Sequence, residues 1–533
     1  MFGLISTVIA LSQLFEMSIS GKSFFISALE LNSRFGHKNL LSSVLFLVFP
    51  FILISIIKVK RHKALLVGLG VIILLLTWLV QTKAVIVAFV VFFFVLLFML
   101  FRYRVLSKRI LVRLTVTLFL FIVIISGFTF LNRQKFSRIF DSKSSLERIA
   151  IWKNSVEMIK ENFIFGVGAG NWQIEFPKYG LDKFAESAVK NGMTTFQRPH
   201  NDYLWVFCET GFWGLLAYLF IFATILFYLL RIFKRRRGNK DYWMFFIFLA
   251  TVLGYLLIAF VDFPLERIEH QVLLYTTFAI IAAHYYKNVY MVNPPTRSEI
   301  KGPALFILLI LSLLFSFTVC IKRATGAYHT QRLYLFKQQS NWEKLIDEAD
   351  KSINLFYSVD PMSAPIVWYK GVALFTSGNM EAAKTCFEQA NLIHPYHIHV
   401  LNNLGSCYEK LNDHKKAEEM YLRALAISSE FEEARLNLSA VYFNGKEFEK
   451  AFKTIDNCSV NSTDEKYKLF LPAILNSWIE LQLFSKNDLR YIDTLNSLKN
   501  NKERTLKLYF ESKAKRANFM EYVLANAQPN FQN

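Results

Sequence analysis

Residues 198–219 read RPHNDYLWVFCETGFWGLLAYL, a polar segment that runs directly into apolar sequence. The apolar character continues to Leu230, so residues 211–230 form one run. A second apolar run at 110–131 precedes the polar residues 132–201. About 20 apolar residues in a helix span a hydrocarbon core of ~30 Å, so both runs predict membrane helices. Residues 132–201 are therefore predicted to form a loop at a membrane face.

Apolar runs of this kind recur along the N-terminal part of the chain. They cover residues 1–16, 40–57, 64–80, 84–101, 110–131, 204–230, 242–261, 271–286 and 303–321. With 53% hydrophobic and 19% charged residues, the chain of 533 residues is too apolar for one soluble domain and too polar for a membrane bundle alone. We predict an all-α protein with a polytopic transmembrane domain of about nine helices over 1–322 and a soluble helical domain over 323–533.

Basic residues predict the orientation of the membrane helices. The net charge is +20, and basic clusters at 58–63, 102–113 and 231–237 follow the second, fourth and sixth runs. The positive-inside rule places these clusters in the cytoplasm, and it places residues 132–201 and everything after 321 on the opposite, periplasmic side. Because the excess charge lies in short loops between apolar runs, it does not indicate nucleic-acid binding.

The predicted loop contains two local patterns. Apolar residues recur at three- and four-residue spacing over 144–159, which predicts an amphipathic helix with Arg148 and Trp152 on one face. The sequence FGVGAG follows, in which glycines occupy alternate positions: Gly166, Gly168 and Gly170. Such a segment either lets backbone N–H groups approach a ligand closely or forms a plain turn packed on the helix. It does not have the spacing of a dinucleotide-binding fingerprint.

His200 lies at the start of the apolar run that closes the loop. A single histidine is most often structural, but this one follows Arg198 in a polar segment beside a membrane helix. An ionisable side chain there can meet a charged lipid headgroup. An imidazole with an ordinary pKa near ~6.5 can also act as a base at neutral pH. His200 is therefore a candidate site residue.

Three motifs together resemble the O-antigen ligase and polymerase superfamily. They are R-x-x-x-W, N-x-x-F-G-x-G-x-G-N-W and P-H-N-x-Y-L-x-x-x-x-E-x-G-x-x-G-L-L, and the resemblance covers residues 35–233. It implies a glycosyltransferase of polysaccharide or lipopolysaccharide synthesis in the inner membrane. Such an enzyme moves a glycan from an undecaprenyl diphosphate carrier to an acceptor hydroxyl at the periplasmic face. The resemblance implies no metal, no nucleotide sugar and no other cofactor.

The resemblance also implies roles for individual residues. His200 corresponds to the periplasmic histidine of the family and Arg148 to its loop arginine, so both are expected to be catalytic. The carrier diphosphate is expected to contact Arg148 and Lys83, and Arg198 is our further candidate for this contact. The family usually has an arginine where this chain has Lys83, and a lysine keeps the charge but not the two-pronged geometry. The remaining motif residues are expected to shape the loop: Trp152, Gly166, Gly168, Gly170, Asn171, Asn201 and Glu209.

Several readings of the function stay open at this stage. Ligases, polymerases and protein O-oligosaccharyltransferases share the loop motifs, so the acceptor is a glycolipid, a glycan or a protein. A membrane-anchored repeat scaffold without catalysis and a glycan-lipid transporter are alternatives of other classes. Nine helices exceed what an anchor needs, and transporters tend to place paired charges or broken helices at mid-membrane. The family usually has more helices before the loop, which leaves open that the chain begins inside a longer membrane domain.

A repeat with the ~34-residue period of tetratricopeptide units appears in the C-terminal part. Small residues recur in register at Gly371, Gly405 and Ser439, and again at Ala383, Ala417 and Ala451. Large and small residues follow in register at Phe387, Tyr421 and Ile455 and at Ala390, Ala424 and Cys458. The clearest repeats cover about 364–465. We predict a helical solenoid whose concave face binds a protein partner, and a purely stabilising role for the array is the alternative.

Two features of the sequence allow alternatives. The turn at 262–270 is rich in charged residues, so it either lines an acceptor path or forms a solvated turn with an Arg–Glu pair, and the second is favoured. Cys386 and Cys407 either form a disulfide in an oxidising compartment or are packed free thiols, and again the second is favoured.

Overall fold

The computed structural model describes residues 2–19, 38–105, 107–131, 143–235, 242–291, 302–458, 462, 464–485, 489–499 and 501–526. Within these ranges the regular structure is helical and no strand occurs, which confirms the predicted all-α class. The chain forms two compact units, one of Met1–Trp172 with Arg198–Ile300 and one of Gln173–Gln197 with Lys301–Asn533. The start of the predicted loop, 132–142, lies outside the described residues. The predicted domain boundary at 322 stays a prediction.

A helix covers each predicted apolar run, and further helices lie in the loop. In chain order they are α1 (Phe2–Ile19), α2 (Lys38–Lys58), α3 (Lys63–Leu79), α4 (Lys83–Arg102), α5 (Lys108–Leu131), α6 (Lys143–Glu161), α7 (Trp172–Glu175), α8 (Ser187–Lys190), α9 (Asp202–Lys234), α10 (Met244–Val261), α11 (Ile268–Tyr285) and α12 (Gly302–Gln338).

Five helical segments of the described chain are long and apolar enough to cross a membrane. They are Lys38–Lys58, Lys83–Arg102, Asp202–Lys234, Met244–Val261 and Phe306–Gln338. A polytopic membrane protein is therefore supported, and the number of nine spans stays a prediction. α3 is also apolar but has only 17 residues.

The core of the first unit is built around the buried ring of Phe46 in α2. This ring meets the edges of two rings of α4, with centroid distances of 5.0 Å to Phe89 and 6.1 Å to Phe92. Gly254 of α10 faces the same ring so closely that a Cβ there would lie 2.2 Å from the Phe46 Cζ. Close approach of a small residue to a large one therefore joins three apolar helices, as is usual where lipid supplies no hydrophobic drive between helices.

The second unit contains the remaining helices. They are α13 (Trp342–Ser352), α14 (Ile366–Thr376), α15 (Met380–Ile393), α16 (Ile398–Lys410), α17 (His414–Ile427), α18 (Glu432–Asn444), α19 (Phe448–Asp456), α20 (Glu465–Ser485), α21 (Leu489–Lys499), α22 (Lys502–Ala514) and α23 (Phe519–Asn526). α14 with α15, α16 with α17 and α18 with α19 are the helix pairs of successive predicted repeats.

The repeat register predicted from the sequence corresponds to close helix crossings. A Cβ at Gly371 would lie 2.6 Å from the ring of Phe387, and a Cβ at Gly405 would lie 2.8 Å from the ring of Tyr421. Within each pair, the glycine of the first helix thus admits the aromatic ring of the second. The same small and aromatic positions are buried in both repeats. Cys386 and Cys407 are buried free thiols, so the favoured alternative holds.

Candidate functional site

The loop helix α6 is attached through the face that carries Arg148 and Trp152. Nη1 of Arg148 donates a hydrogen bond of 2.6 Å to the carbonyl of Val261, the last residue of α10. Nε1 of Trp152 donates one of 2.8 Å to the carbonyl of Pro199, and its ring packs 5.6 Å from the ring of Phe260. A helix C-terminus has carbonyls without intrahelical partners and favours positive charge. The predicted face of α6 is therefore held against the end of α10.

Phe263, in the turn after α10, is surrounded by cationic and imidazole side chains. The Arg198 guanidinium lies 4.4 Å from the ring centroid and that of Arg267 lies 5.8 Å from it. The His200 ring meets Phe263 edge-on at 4.9 Å. Nη1 of Arg198 also forms a 2.5 Å ion pair with Glu266. Burial lowers the pKa of Arg198, while the Glu266 carboxylate opposes that shift. An arginine nevertheless stays charged at neutral pH.

His200 lies beside a buried carboxylate. Its Nδ1 is 3.8 Å from Oδ1 of Asp262, whose side chain is 3% exposed, whereas the His200 side chain is 32% exposed. Nδ1 makes no hydrogen bond with any described residue. The backbone of His200 has a φ of 53°, a conformation that few non-glycine residues adopt. The imidazole is thus accessible on one side and close to Asp262 on the other.

The side chains of the three residues after His200 hold the start of α9 in place. Oδ1 of Asn201 caps α9 by accepting from Leu204 N at 3.0 Å. Oδ2 of Asp202 accepts from Leu265 N at 3.0 Å. The hydroxyl of Tyr203 donates to the Leu256 carbonyl at 2.8 Å. Main-chain and side-chain bonds thus tie the start of α9 to α10 and to the turn after it.

The glycine motif packs on α9 at a kink. We call residues 163–171 the glycine loop. Its Val167 N donates to the Cys208 carbonyl at 2.8 Å, and its Gly168 N donates to the Glu209 carbonyl at 2.9 Å. These carbonyls lie just before Gly211, which has φ 67° and ψ −165° inside the helix. Of the two alternatives, the geometry matches a packed turn, because these N–H groups donate to helix carbonyls. The carbonyls belong to α9, whereas the prediction named the helix over 144–159.

The other motif residues of the loop support the same packing. Gly166, Gly168 and Gly170 all have positive φ. Nδ2 of Asn171 donates to the Val167 carbonyl at 2.9 Å. Oε1 of Glu209 accepts from the N–H of Trp172 at 3.3 Å. Asn171 and Glu209 therefore stabilise the glycine loop and the residue that follows it.

Lys83 is the exposed first residue of α4. The preceding Thr82 donates to Ser42 Oγ at 3.1 Å, and the next serine, Ser43, is 2.6 Å from Nε2 of His270. His270 is the last residue of the turn at 262–270, in which Glu266 pairs with Arg198 and Asp262 lies beside His200. These contacts place the end of α4 that carries Lys83 at the same end of the helix bundle as that turn.

The prediction of a solvated turn at 262–270 is wrong in one respect. Asp262 is 2% exposed and His270 is fully buried. Asp262 lies beside His200 of the loop, and His270 lies beside Ser43 of α2. Its Glu266 does pair with an arginine, but with Arg198 of the loop. Sequence reasoning also missed Phe263, since an aromatic residue at the end of an apolar run carries no distinguishing signal.

The fold and site define a polytopic helical membrane protein with a loop site at one end of its helices and a helical repeat domain. Residues 69–219 match the family model described as O-antigen ligase, and residues 363–430 match the one described as tetratricopeptide repeat. The predicted combination of an O-antigen ligase-like segment with these repeats is confirmed. The first match supports an O-antigen ligase or polymerase type of membrane enzyme. It includes Lys83, Arg148, Arg198 and His200.

A curated relative matches over a shorter stretch. The uncharacterized protein ycf37 of Pyropia yezoensis is 40% identical over 58 residues, which is 11% of this chain. The match covers 33% of that relative, so the chain spans about a third of its length.

Proposed function

We propose that this protein transfers a glycan from undecaprenyl diphosphate to an acceptor hydroxyl at the periplasmic face of the inner membrane. The observation that carries the proposal is the position of His200, whose Nδ1 has no hydrogen-bond partner among the described residues. It lies beside Asp262 and shares the ring of Phe263 with Arg198. An acceptor hydroxyl needs a base, and a diphosphate needs cations.

In the proposed reaction His200 is the general base. Since Nδ1 faces Asp262, a proton on Nδ1 is stabilised by that carboxylate, and the lone pair on Nε2 is left to take the acceptor proton. The acceptor oxygen forms a bond to the anomeric carbon as the bond from that carbon to the diphosphate oxygen breaks. The leaving undecaprenyl diphosphate retains the electron pair, and the proton moves to His200.

Cationic side chains are proposed to stabilise the leaving diphosphate. Arg148 uses one guanidinium nitrogen for the Val261 carbonyl and has further N–H donors for phosphate oxygens. Arg198 would exchange its Glu266 partner for phosphate oxygens on binding. Lys83, exposed at the same end of the bundle, supplies a further positive charge. Charge-assisted hydrogen bonds of this kind gain strength as negative charge develops on the leaving group.

Substitution of the base and of the loop arginine tests the proposal. In membranes supplied with carrier-linked glycan, His200→Ala and Arg148→Ala should each lower the transfer rate by on the order of 10²–10⁴. Arg148→Lys should recover part of the loss, because it keeps the charge without the two-pronged geometry. Lys153→Ala is the matched control, since Lys153 is an exposed cation on the same helix. Turnover of His200→Ala within a few-fold of the parent would remove His200 from the mechanism.

The proposed orientation has its own test. A cysteine at the exposed Asn444, in a Cys320→Ser background, should react with a membrane-impermeant thiol reagent in cells whose outer membrane alone is permeabilised. Reaction only after lysis of the inner membrane would place the repeats in the cytoplasm. Whether the acceptor is a glycolipid, a glycan chain or a protein is decided by which surface glycan changes when the gene is deleted.

A further inference from the structure

Part of the catalytic loop is bound by the repeats of its own chain. We call Gln173–Gln197, which belongs to the same compact unit as the repeats, the docked segment. At one end, Oγ1 of Thr195 donates to the Met362 carbonyl at 2.9 Å, and the side chain of Gln197 donates to the Pro361 carbonyl. Nearer the middle of the segment, Leu181 N donates to the Ile427 carbonyl at 2.8 Å.

The bound surface follows the repeat period. It consists of the turns that lead from the second helix of one pair to the first helix of the next, and we call it the turn edge: residues 360–365, 394–399 and 427–431. Ser428 Oγ donates to the Lys190 carbonyl at 2.6 Å, and Ser429 N donates to Oδ1 of Asp182 at 2.9 Å. Contacts thus recur at successive repeats and lie along one edge of the array.

The docked segment depends on this surface for its own core. Phe176 and Phe184 are almost fully buried, and with Phe196 they form a ring cluster with centroid distances of 4.6–6.1 Å. Residues of the repeats, His397 and Ile398 among them, line the cavity beside this cluster. The only helices in the segment have four residues each, which is too short for independent stability. The segment therefore acquires its conformation by packing on the repeats.

The receiving turn is pre-formed. Oδ1 of Asp360 accepts from the N–H groups of Met362 and Ala364, each at 2.8 Å. Oδ2 of Asp360 accepts from the hydroxyls of Tyr334 at 2.5 Å and Tyr369 at 2.7 Å. A buried carboxylate with four donors holds the turn rigidly, so the carbonyls offered to Thr195 and Gln197 have fixed positions.

We propose that the turn edge is a binding surface for the docked segment, and that this contact positions Arg198 and His200 for transfer. The second half of the proposal rests on the proposed function. Gln197 directly precedes Arg198 in the chain, so anchoring Gln197 restricts the backbone of the residues that follow it. Preorganisation of this kind lowers the entropy lost when the reacting groups are aligned.

A groove of the repeats takes no part in this contact. It is lined by positions of the first helices that are in register, Val372, Ser406 and Ala440 among them. The contacts of the docked segment are instead with the turn edge. A partner bound in the groove and the loop bound on the turn edge therefore do not compete for the same residues.

Two glycines of the docked segment provide a matched pair for the test. Gly192 and Gly180 both have positive φ, at 67° and 87°. A Cβ at Gly192 would lie 2.9 Å from His399 Nε2 and 2.9 Å from Ile398 Cδ1, whereas a Cβ at Gly180 meets no atom within 4 Å. Gly192→Ala and Gly180→Ala thus both place a Cβ at a residue with positive φ, and only the first also pushes against the repeats.

The experiment compares tryptic cleavage of the docked segment and glycan transfer in the full-length protein. Gly192→Ala should be cleaved roughly tenfold faster than Gly180→Ala, because overpacking raises the population of the open state. Its transfer rate should fall by a similar factor. Equal cleavage of both variants would overturn the docking. Faster cleavage with an unchanged transfer rate would overturn the positioning role. His200→Ala should leave cleavage at the parent level, which separates this test from failure of the proposed mechanism.

A cross-link covers the case in which Gly192→Ala does not fold. Thr195→Cys with Met362→Cys, in a Cys320→Ser background, should form a disulfide on oxidation and keep the parent transfer rate. Cross-linked protein with Gly192→Ala should recover transfer, and reduction should remove the recovery. Absence of the cross-link under oxidising conditions would overturn the docking, and inactivity of the cross-linked parent would overturn the docked state as the active one.

Discussion

Two consecutive stretches of the loop are held in different ways. The glycine loop is joined to α9 by main-chain hydrogen bonds such as those from Val167 and Gly168. The docked segment is joined to the turn edge largely through side chains, including Thr195, Gln197 and Lys190. Most side-chain substitutions leave a main-chain hydrogen bond intact, but a Cβ added to a glycine where two backbones lie close together breaks the contact. A side-chain contact responds to substitution, to charge and to pH.

The largest effect is expected at the kink that receives the glycine loop. Gly211 combines positive φ with a backbone conformation open essentially to glycine, and a Cβ there would lie 2.3 Å from the Ile164 carbonyl oxygen. Gly211→Ala should lower the free energy of unfolding by about 2–6 kcal/mol, the sum of backbone strain and overpacking. Thermal unfolding in detergent measures it. Gly170→Ala is the control, because its φ is 83° but a Cβ there meets nothing within 4 Å. Similar melting temperatures for the two variants would contradict the close approach.

The second expected effect is a pH dependence confined to the docked segment and its surface. Burial lowers the pKa of His394 to about 3 and that of His397 well below its ordinary value. Burial also lowers the pKa of His399, and Glu433, whose Oε2 is 3.9 Å from Nδ1 of His399, opposes that shift. These histidines are neutral when folded but bind protons near pH ~6.5 when unfolded. Below that pH the unfolded state binds protons that the folded state does not. The free energy of unfolding is therefore highest above that pH and falls as the pH falls below it.

At pH 5 a histidine of this kind disfavours the folded state by about 2 kcal/mol relative to pH 7. Hydrogen–deuterium exchange, corrected for its intrinsic pH dependence, should show amides of the docked segment opening more at pH 5 while those of the glycine loop change little. His397→Asn should reduce this slope, because asparagine can replace the helix cap that His397 Nδ1 provides to Val400 N but does not titrate. Equal pH slopes in both stretches would refute the comparison.

The sequence predicts contacts only where a pattern repeats. The pairing of Gly371 with Phe387 could be predicted because the same pair of types recurs one period later at Gly405 and Tyr421. Apolar runs likewise predict helices, since their length is the signal. Neither signal says which membrane helices touch, so the approach of Gly254 to the Phe46 ring could not be derived.

The contacts of the candidate site residues could not be predicted from the sequence. The motifs indicate Arg148 and His200, while their partners are a carbonyl at the end of α10 and a carboxylate far away in sequence. Every residue has a backbone carbonyl, so the sequence does not indicate which carbonyl accepts a hydrogen bond. The docking of residues 173–197 has no periodic or compositional signal either, because its contacts are single hydrogen bonds to turns.

The smallest effect is expected for the ion pair of the docked segment. Nζ of Lys190 lies 2.6 Å from Oε1 of Glu430, whose side chain is 56% exposed, so solvent weakens the attraction. Lys190→Glu should cost about 0.2–1 kcal/mol of docking free energy, and adding Glu430→Lys should restore most of it. The readout is chymotryptic cleavage within the docked segment, because Lys190→Glu itself removes a tryptic site. Reversal of the exposed pair Lys160 and Glu157 on α6 is the control and should leave cleavage there unchanged. If the double reversal at 190 and 430 is no better than Lys190→Glu alone, the two charges do not meet in the folded protein.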